Sequence, residues 1–210
     1  MANAGTWEPI ALASQVATLD VLSGGRAVLG VGAGHTPAEW LMRGLPHPSP
    51  SERVDRMIEL ADATRQLLLG EEITFTGAHV TLRGARLDAP QSVQRPVPLL
   101  VGGNGRRVLR YAAAHADVVG LSGLGRTLED GHRHEVRWAP DDINESIDHV
   151  HAVAQAAGRQ PKLQALMQYV EIADELRSHL RRWGIAGYMV RAAAVDSACE
   201  VLDHLSPRAG

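Results

Sequence analysis

Short apolar runs alternate along the chain with longer stretches in which apolar positions recur every three or four residues. That rhythm predicts an α/β protein with parallel strands. Trp7 to Leu22 reads as a helix, with Ile10, Leu12, Ala13, Val16, Ala17, Leu19 and Leu22 at helical spacing and Ser23-Gly24-Gly25 as its glycine cap. Arg26–Val31 (RAVLGV) is the first strand, and its nearly continuous apolar character suits burial on both faces. Ser49–Leu69 is a helix with Ser51 as N-cap and Val54, Met57, Ile58, Ala61, Thr64, Leu67 and Leu68 along one side. Glu72–Leu82 reads as two short strands around Thr76-Gly77-Ala78, an excursion from the main pattern.

The alternation then resumes. Pro98–Val101 is a buried strand ending in Gly102-Gly103-Asn104-Gly105, and Arg106–Ala114 is the helix after it. Asp117–Leu121 is a strand, Ser122–Pro140 a long polar loop, and Asp141–Gly158 a helix presenting Ile143, Ile147, Val150 and Val153. Lys162–Ile172 holds a strand, Asp174–Trp183 a helix, Ile185–Val190 a strand and Val195–Leu205 a last helix. This makes about five β-then-α units in a single domain over residues 1–210, with no internal repeat and no low-complexity linker. An open doubly wound sheet and a (β/α)8 barrel both accept it. A complete barrel takes roughly 250 residues, so as a barrel the chain reads as about three units short at its N-terminus.

Composition narrows the setting. A formal net charge of −3 over 210 residues gives no electrostatic footprint for nucleic acid. The single cysteine, Cys199, excludes an internal disulfide and reads as a small buried residue of a cytoplasmic protein. No stretch approaches the roughly 20 apolar residues of a membrane span, and MANAGTWEPIAL lacks the basic region of a signal peptide.

Two strand exits are rich in glycine: Gly32-Ala33-Gly34-His35 and Gly102-Gly103-Asn104-Gly105-Arg106. Barrel enzymes build their sites at the C-terminal strand ends. Glycines there either make tight turns or let a ligand lie against backbone, and the residues alone leave both open. Neither stretch is a P-loop, since no Gly-Lys-Ser/Thr follows, and Gly103-Asn104-Gly105 does not complete a dinucleotide fingerprint. Arg106 and Arg107 stand where a positive charge opposes the helix dipole, a placement that makes sense with a phosphate beside them. His35 suits general acid–base work near neutral pH or is a plain loop histidine. The His132-Arg133-His134 spacing lacks a third ligand, so no metal is expected. Trp40 either walls the pocket or belongs to the core, and His149 and His151 fall on the solvated side of their helix.

Several stretches together carry a resemblance. ATLDVLSGGRAVLGVGAG (Ala17–Gly34) resembles the luciferase-like monooxygenase superfamily at its fourth barrel strand. PVPLLVGGNGRRVLRYAAAHADVVG (Pro96–Gly120) is similar to that family's next strand, glycine turn and helix. SERVDRMIELADATRQLL with ITFTGAHVTL is similar to the intervening helix and β excursion, and RRWGIAGYMVRAAAVDSACEVLDHL to the close of the branch that uses the deazaflavin F420. The resemblance covers nearly the whole chain. It implies a luciferase-like TIM barrel from which the first three βα units are absent, with Met1 standing where the third helix begins.

That resemblance implies an oxidoreductase using F420, or alternatively FMN, to move a hydride to or from a small organic substrate. Ala33 and Gly34 would touch the ring, and Gly102, Gly103, Gly105 and Arg106 would hold the cofactor phosphate; His35 stands where some F420-dependent members carry an acidic residue, a position the resemblance does not by itself make catalytic. An FMNH2-dependent monooxygenase and a non-catalytic flavin-binding protein with a shortened barrel are the alternatives. The expected partners are a small-molecule substrate and either a second copy of the chain or a completing segment, with no nucleic acid and no membrane.

Overall fold

The computed structural model describes residues 1–128, 134–136, 140–167 and 182–190. In chain order these form β1 (Ala2–Asn3), α1 (Pro9–Ser23), β2 (Leu29–Gly32), α2 (Pro37–Leu41), α3 (Pro50–Leu68), β3 (Ile73–Thr76), β4 (Thr81–Ala85), β5 (Leu99–Gly102) and α4 (Arg106–His115). There follow β6 (Val118–Leu121), β7 (Leu124–Thr127), β8 (His134–Val136), α5 (Pro140–Ala156), β9 (Lys162–Met167) and β10 (Ile185–Val190). One six-stranded sheet has the order β1-β2-β5-β6-β9-β10, and every neighbouring pair is parallel. The order never reverses. A doubly wound sheet must reverse at its switch point, so the winding is that of a (β/α)8 barrel. The pairs β3–β4 and β7–β8 are separate antiparallel hairpins hung on this frame.

The two-residue period of a strand sorts the side chains. Leu29, Val31, Leu99, Val101, Val119, Leu121, Leu163 and Ala165 are buried and belong to the core cluster. Helices supply the other half of that core: Leu12, Ala13, Val16 and Ala17 from α1, Met57, Leu60, Ala61 and Leu67 from α3, Leu109 and Ala112 from α4, and Ile143, Ile147 and Val150 from α5. The alternate strand positions, Gly30, Gly32, Leu100, Gly102, Val118 and Gly120, face the other way. RAVLGV is therefore helix-packed on one side and glycine-lined on the other, where the Met1 side chain lies over Gly30 and Gly32.

Local signals explain most element ends. Gly24 closes α1 in the left-handed conformation at φ 66°, donating to the carbonyls of Asp20 and Val21. α3 starts earlier than its apolar stripe indicates. Ser49, not Ser51, is the N-cap, and it forms a capping box in which Glu52 N–H donates to Ser49 Oγ at 3.3 Å and Ser49 N–H to Glu52 Oε2 at 2.8 Å.

Three further expectations change. Residues 122–140 are not one long loop, because β7 and β8 pair within them. Parallel strands number six among the described residues rather than five, since Ala2–Asn3 pairs beside β2 through Ala2↔Val31 and Asn3↔Gly32. Met1 thus precedes a strand, and the helix expected at that point begins at Pro9. His132, Arg133, the bulk of the helix at 174–183, the final helix at 195–205 and Cys199 lie outside the described residues.

Candidate functional site

Parallel strands in register bring all their C-terminal ends to one rim. The pairings Asn3↔Gly32, Gly32↔Gly102, Gly102↔Gly120 and Gly120↔Gln164 place five residues from five adjacent strands in one row. Three of the five are consecutive glycines, flanked by two side-chain amides. The row is a flat backbone floor facing away from the helices.

Backbone conformation does not require those glycines. None of the three has a positive φ. A Cβ on Gly32 would meet only Gly102 O at 3.6 Å and Met1 Cε at 3.7 Å, which are ordinary contacts. On Gly102 it would press on the tip of the flexible Met1 side chain at 2.6 Å, with Gly120 O next at 3.7 Å. Only Gly120 is tight, with Gly102 Cα at 3.3 Å. A strand glycine costs about 0.5–1 kcal/mol relative to alanine, and in a strand it often marks close approach of a ligand or another backbone.

Beyond the floor, the Gly32–His35 exit is clamped from two sides. Asn3 packs against Gly34, whose φ is 70°, so a Cβ there would strike the Asn3 amide. Asn3 Oδ1 accepts from Gly5 N–H at 2.8 Å, and its Nδ2 donates to Glu39 of α2. From α3, Arg53 Nη1 donates to the Gly34 carbonyl and its Nε to Pro48 O at 3.3 Å. Arg56 fixes the β1–α1 loop, with Nε donating to Ala4 O at 2.8 Å and Nη2 paired with Glu8 at 2.5 Å. His35 is exposed at the rim, and Ala33 is partly buried against the core cluster. Trp40 is core: it is 6% exposed and its indole lies against Gly5.

The second exit is built differently. Gly103 N–H donates to Gly120 O at 3.0 Å, and a Cβ on Gly103 would come within 2.9 Å of Val108, so this glycine serves helix packing. Asn104 Oδ1 accepts from Ser122 N–H at 3.1 Å. Gly105 is the N-cap of α4 with no side-chain cap, and a Cβ there would meet nothing within 4 Å. The first amides of α4 therefore have no side-chain cap from that residue, the arrangement that favours an anion.

Both arginines have carboxylate partners. Arg106 pairs with Glu145 of α5 at 2.9 Å, and Arg107 pairs with Asp55 and donates to Ser51 Oγ at 2.8 Å. Their charges at the helix start are offset by acids as well as open to a phosphate. His149 is half-buried, its Nε2 3.3 Å from Arg106 O, whereas His151 is exposed as its helical position indicates.

Of the residues singled out from sequence, Ala33–Gly34 and Gly103 follow directly on the paired strand ends Gly32 and Gly102, and α3 reaches both exits through Arg53, Ser51 and Asp55. Asn3, Glu39, Arg53, Gly120 and Gln164 were not singled out. Gly120 carried a readable signal, a glycine interrupting the apolar strand DVVGL. The others depend on which strands become neighbours.

The luciferase-like monooxygenase family model matches residues 1–194. The coenzyme F420-dependent tetrahydromethanopterin reductase from Methanopyrus kandleri superposes with a TM-score of 0.64 at 24% identity, covering 89% of this chain and 58% of that one. An F420-dependent secondary alcohol dehydrogenase, in complex with an F420–acetone adduct, gives a TM-score of 0.64 at 25% identity over 85% of this chain and 51% of that one. A long-chain alkane monooxygenase shares the fold with a TM-score of 0.72 at 16% identity, over 96% of this chain and 65% of that one. The chain thus spans between about half and two thirds of the length of these proteins. Among the described residues no helix is long and apolar enough to cross a membrane. The monotonic parallel sheet, the glycine-rich strand exits and the family match over most of the chain agree: this protein belongs to the luciferase-like monooxygenase family.

Proposed function

We propose that this chain carries the cofactor floor of a flavin- or deazaflavin-dependent oxidoreductase that moves a hydride between the cofactor and a small organic substrate, with F420 preferred over FMN. The observation that carries this reading is the in-register row Gly32, Gly102 and Gly120 at the C-terminal rim. A fused planar ring needs a side-chain-free surface of this kind, and Gly32 and Gly102 have no steric reason of their own to be glycine. When bound, such a ring supplies the two-electron chemistry, and the protein supplies position and electrostatics.

The chain's own residues have distinct parts in this reading. Gly32, Gly102 and Gly120 form the resting surface, with Ala33 and Gly34 at its edge. Gly103 lets the turn pack on Val108, Gly105 leaves the start of α4 without a side-chain cap, and Arg106 adds a fixed charge there for the cofactor phosphate. His35, exposed on the rim, holds or delivers a proton at its imidazole in this reading. The preference for F420 rests on the similarity of the RRWGIAGYMV segment to that branch, and two solved relatives described as F420-dependent match at 24% and 25% identity.

Fluorescence titration with F420 and with FMN tests the reading. Binding of F420 more tightly than FMN is expected, and Arg106→Ala is expected to weaken it about tenfold, the equivalent of about 1.4 kcal/mol. Binding of neither cofactor by the folded chain would defeat the proposal.

A further inference from the structure

Arg53 differs from the other paired arginines around it. Arg56 has Glu8, Arg106 has Glu145, Arg107 has Asp55 and Arg159 has Asp117. Arg53 is half-buried, its hydrogen-bond partners are the two backbone carbonyls of Gly34 and Pro48, and no carboxylate pairs with it among the described residues. Carbonyl dipoles satisfy two of its five donors but do not neutralise the charge. Burial pushes its pKa downward with no carboxylate to offset the cost.

Beside it stands a second unpaired polar group. His47 immediately precedes Pro48, whose carbonyl Arg53 holds, and its Nε2 is buried without a hydrogen-bond partner. The ring meets the edge of Trp40 at 6.3 Å between centroids. Burial, and then the facing Arg53 charge, hold the His47 pKa below its usual value. The guanidinium fork keeps three of its five donors and an unneutralised charge, and the ring nitrogen of His47 has no partner. A neutral acceptor would satisfy the hydrogen bonds and leave the charge, whereas an oxyanion answers both deficits.

We propose that Arg53 and His47 form an oxyanion subsite at the rim, taking the carboxylate or phosphate of a small molecule whose remainder lies on the glycine floor. The position follows from the Gly34 carbonyl that Arg53 grips, two residues beyond Gly32 of that floor. The link to a floor-bound molecule rests on the proposed function; the subsite itself is read from the unpaired charge.

Inorganic phosphate and acetate, titrated separately into the full chain at constant ionic strength set with chloride, distinguish the two sources. The readout is the His47 ring resonances, assigned by their loss in His47→Gln. A saturable shift with one oxyanion is expected, and the tighter of the two identifies the group as phosphate or carboxylate. Arg53→Gln is expected to raise the midpoint at least tenfold. Should that variant not fold, Arg53→Lys keeps the charge without the fork and is expected to raise it at least threefold.

No saturable shift with either anion, or an unchanged midpoint in a folded Arg53 variant, would overturn the subsite. Cofactor titrations run in parallel separate the two readings. Cofactor binding without an oxyanion response removes the subsite alone, and an oxyanion response without cofactor binding upholds the subsite and removes the cofactor reading.

Discussion

Gly102 sits in the middle of the glycine row, and valine there would raise a branched side chain from the floor. The backbone accepts it. The φ is not positive, the nearest backbone atom to the added Cβ is Gly120 O at 3.7 Å, and the closer contact is the mobile end of Met1. A β-branched residue in place of a strand glycine gains about 0.5–1 kcal/mol. For a chain of this size that is a Tm unchanged or raised by about 2–4 °C.

The ligand bears the opposite effect. A fused ring lying on the floor makes some 20 contacts at about 0.1–0.2 kcal/mol each, and a gap of about 1 Å forfeits up to half of that. The loss is about 1.5 kcal/mol, or roughly tenfold in Kd. Thermal melting by circular dichroism and fluorescence titration with F420 and FMN measure the two effects separately. Gly103→Val is the control, since its Cβ would stand 2.9 Å from Val108 and should lower the Tm instead. A Gly102→Val protein that keeps its Tm and binds cofactor as tightly as wild type would refute the floor, and one that melts lower would show Gly102 to be structural.

Other expectations concern stability and assembly. Asp20 is fully buried, and although burial pushes its pKa up, hydrogen bonds from Gln94, Ala27 and Val93 outweigh that and hold it below the usual carboxylate value. Its contribution is therefore present at neutral pH and fades as pH falls through the lowered pKa. Asp20→Asn should depress the Tm at pH 7 and have less effect near pH 3, and an equal loss at both would contradict this. Ser49→Ala should cost about 1 kcal/mol through loss of the capping box, and Ser51→Ala much less. Urea denaturation of the two variants checks the order, which would reverse if Ser51 were the cap. Helix α1 is apolar on most of its surface and exposes Ile10, Leu19, Val21 and Leu22, so the chain is proposed to work with a second copy. Size-exclusion chromatography should show a species larger than one chain, and a compact monomer with a sharp melt would refute it.

Much of the local structure could be read from the chain alone because its causes are local. The glycine cap of α1, the hairpin around Gly77 and the strands RAVLGV, PLLV and DVVGL follow from propensity and period, which neighbouring residues set among themselves. The N-cap of α3 was misplaced by two residues because Pro50 and Ser51 belong to the first turn, ahead of the apolar stripe. β1 is not legible in the sequence because two residues carry no period, and only its pairing with β2 makes it a strand. The β7–β8 pair reads as loop because its sequence is polar.

Sequence by itself determined that glycines end two strands and that arginines open α4. It also contained the pattern of a luciferase-like barrel. It could not choose between a reversing and a monotonic sheet, because both share the same βα alternation. Tertiary structure decided that, and with it which glycines become neighbours. Gly32, Gly102 and Gly120 are 70 and 18 residues apart in sequence, and only parallel pairing in register sets them in one row. The same long-range packing brought Asn3, Glu39 and Arg53 around Gly34 and gave Arg106 its partner Glu145. Side-chain chemistry is written residue by residue, but a surface assembled from several strands exists only once those strands have paired.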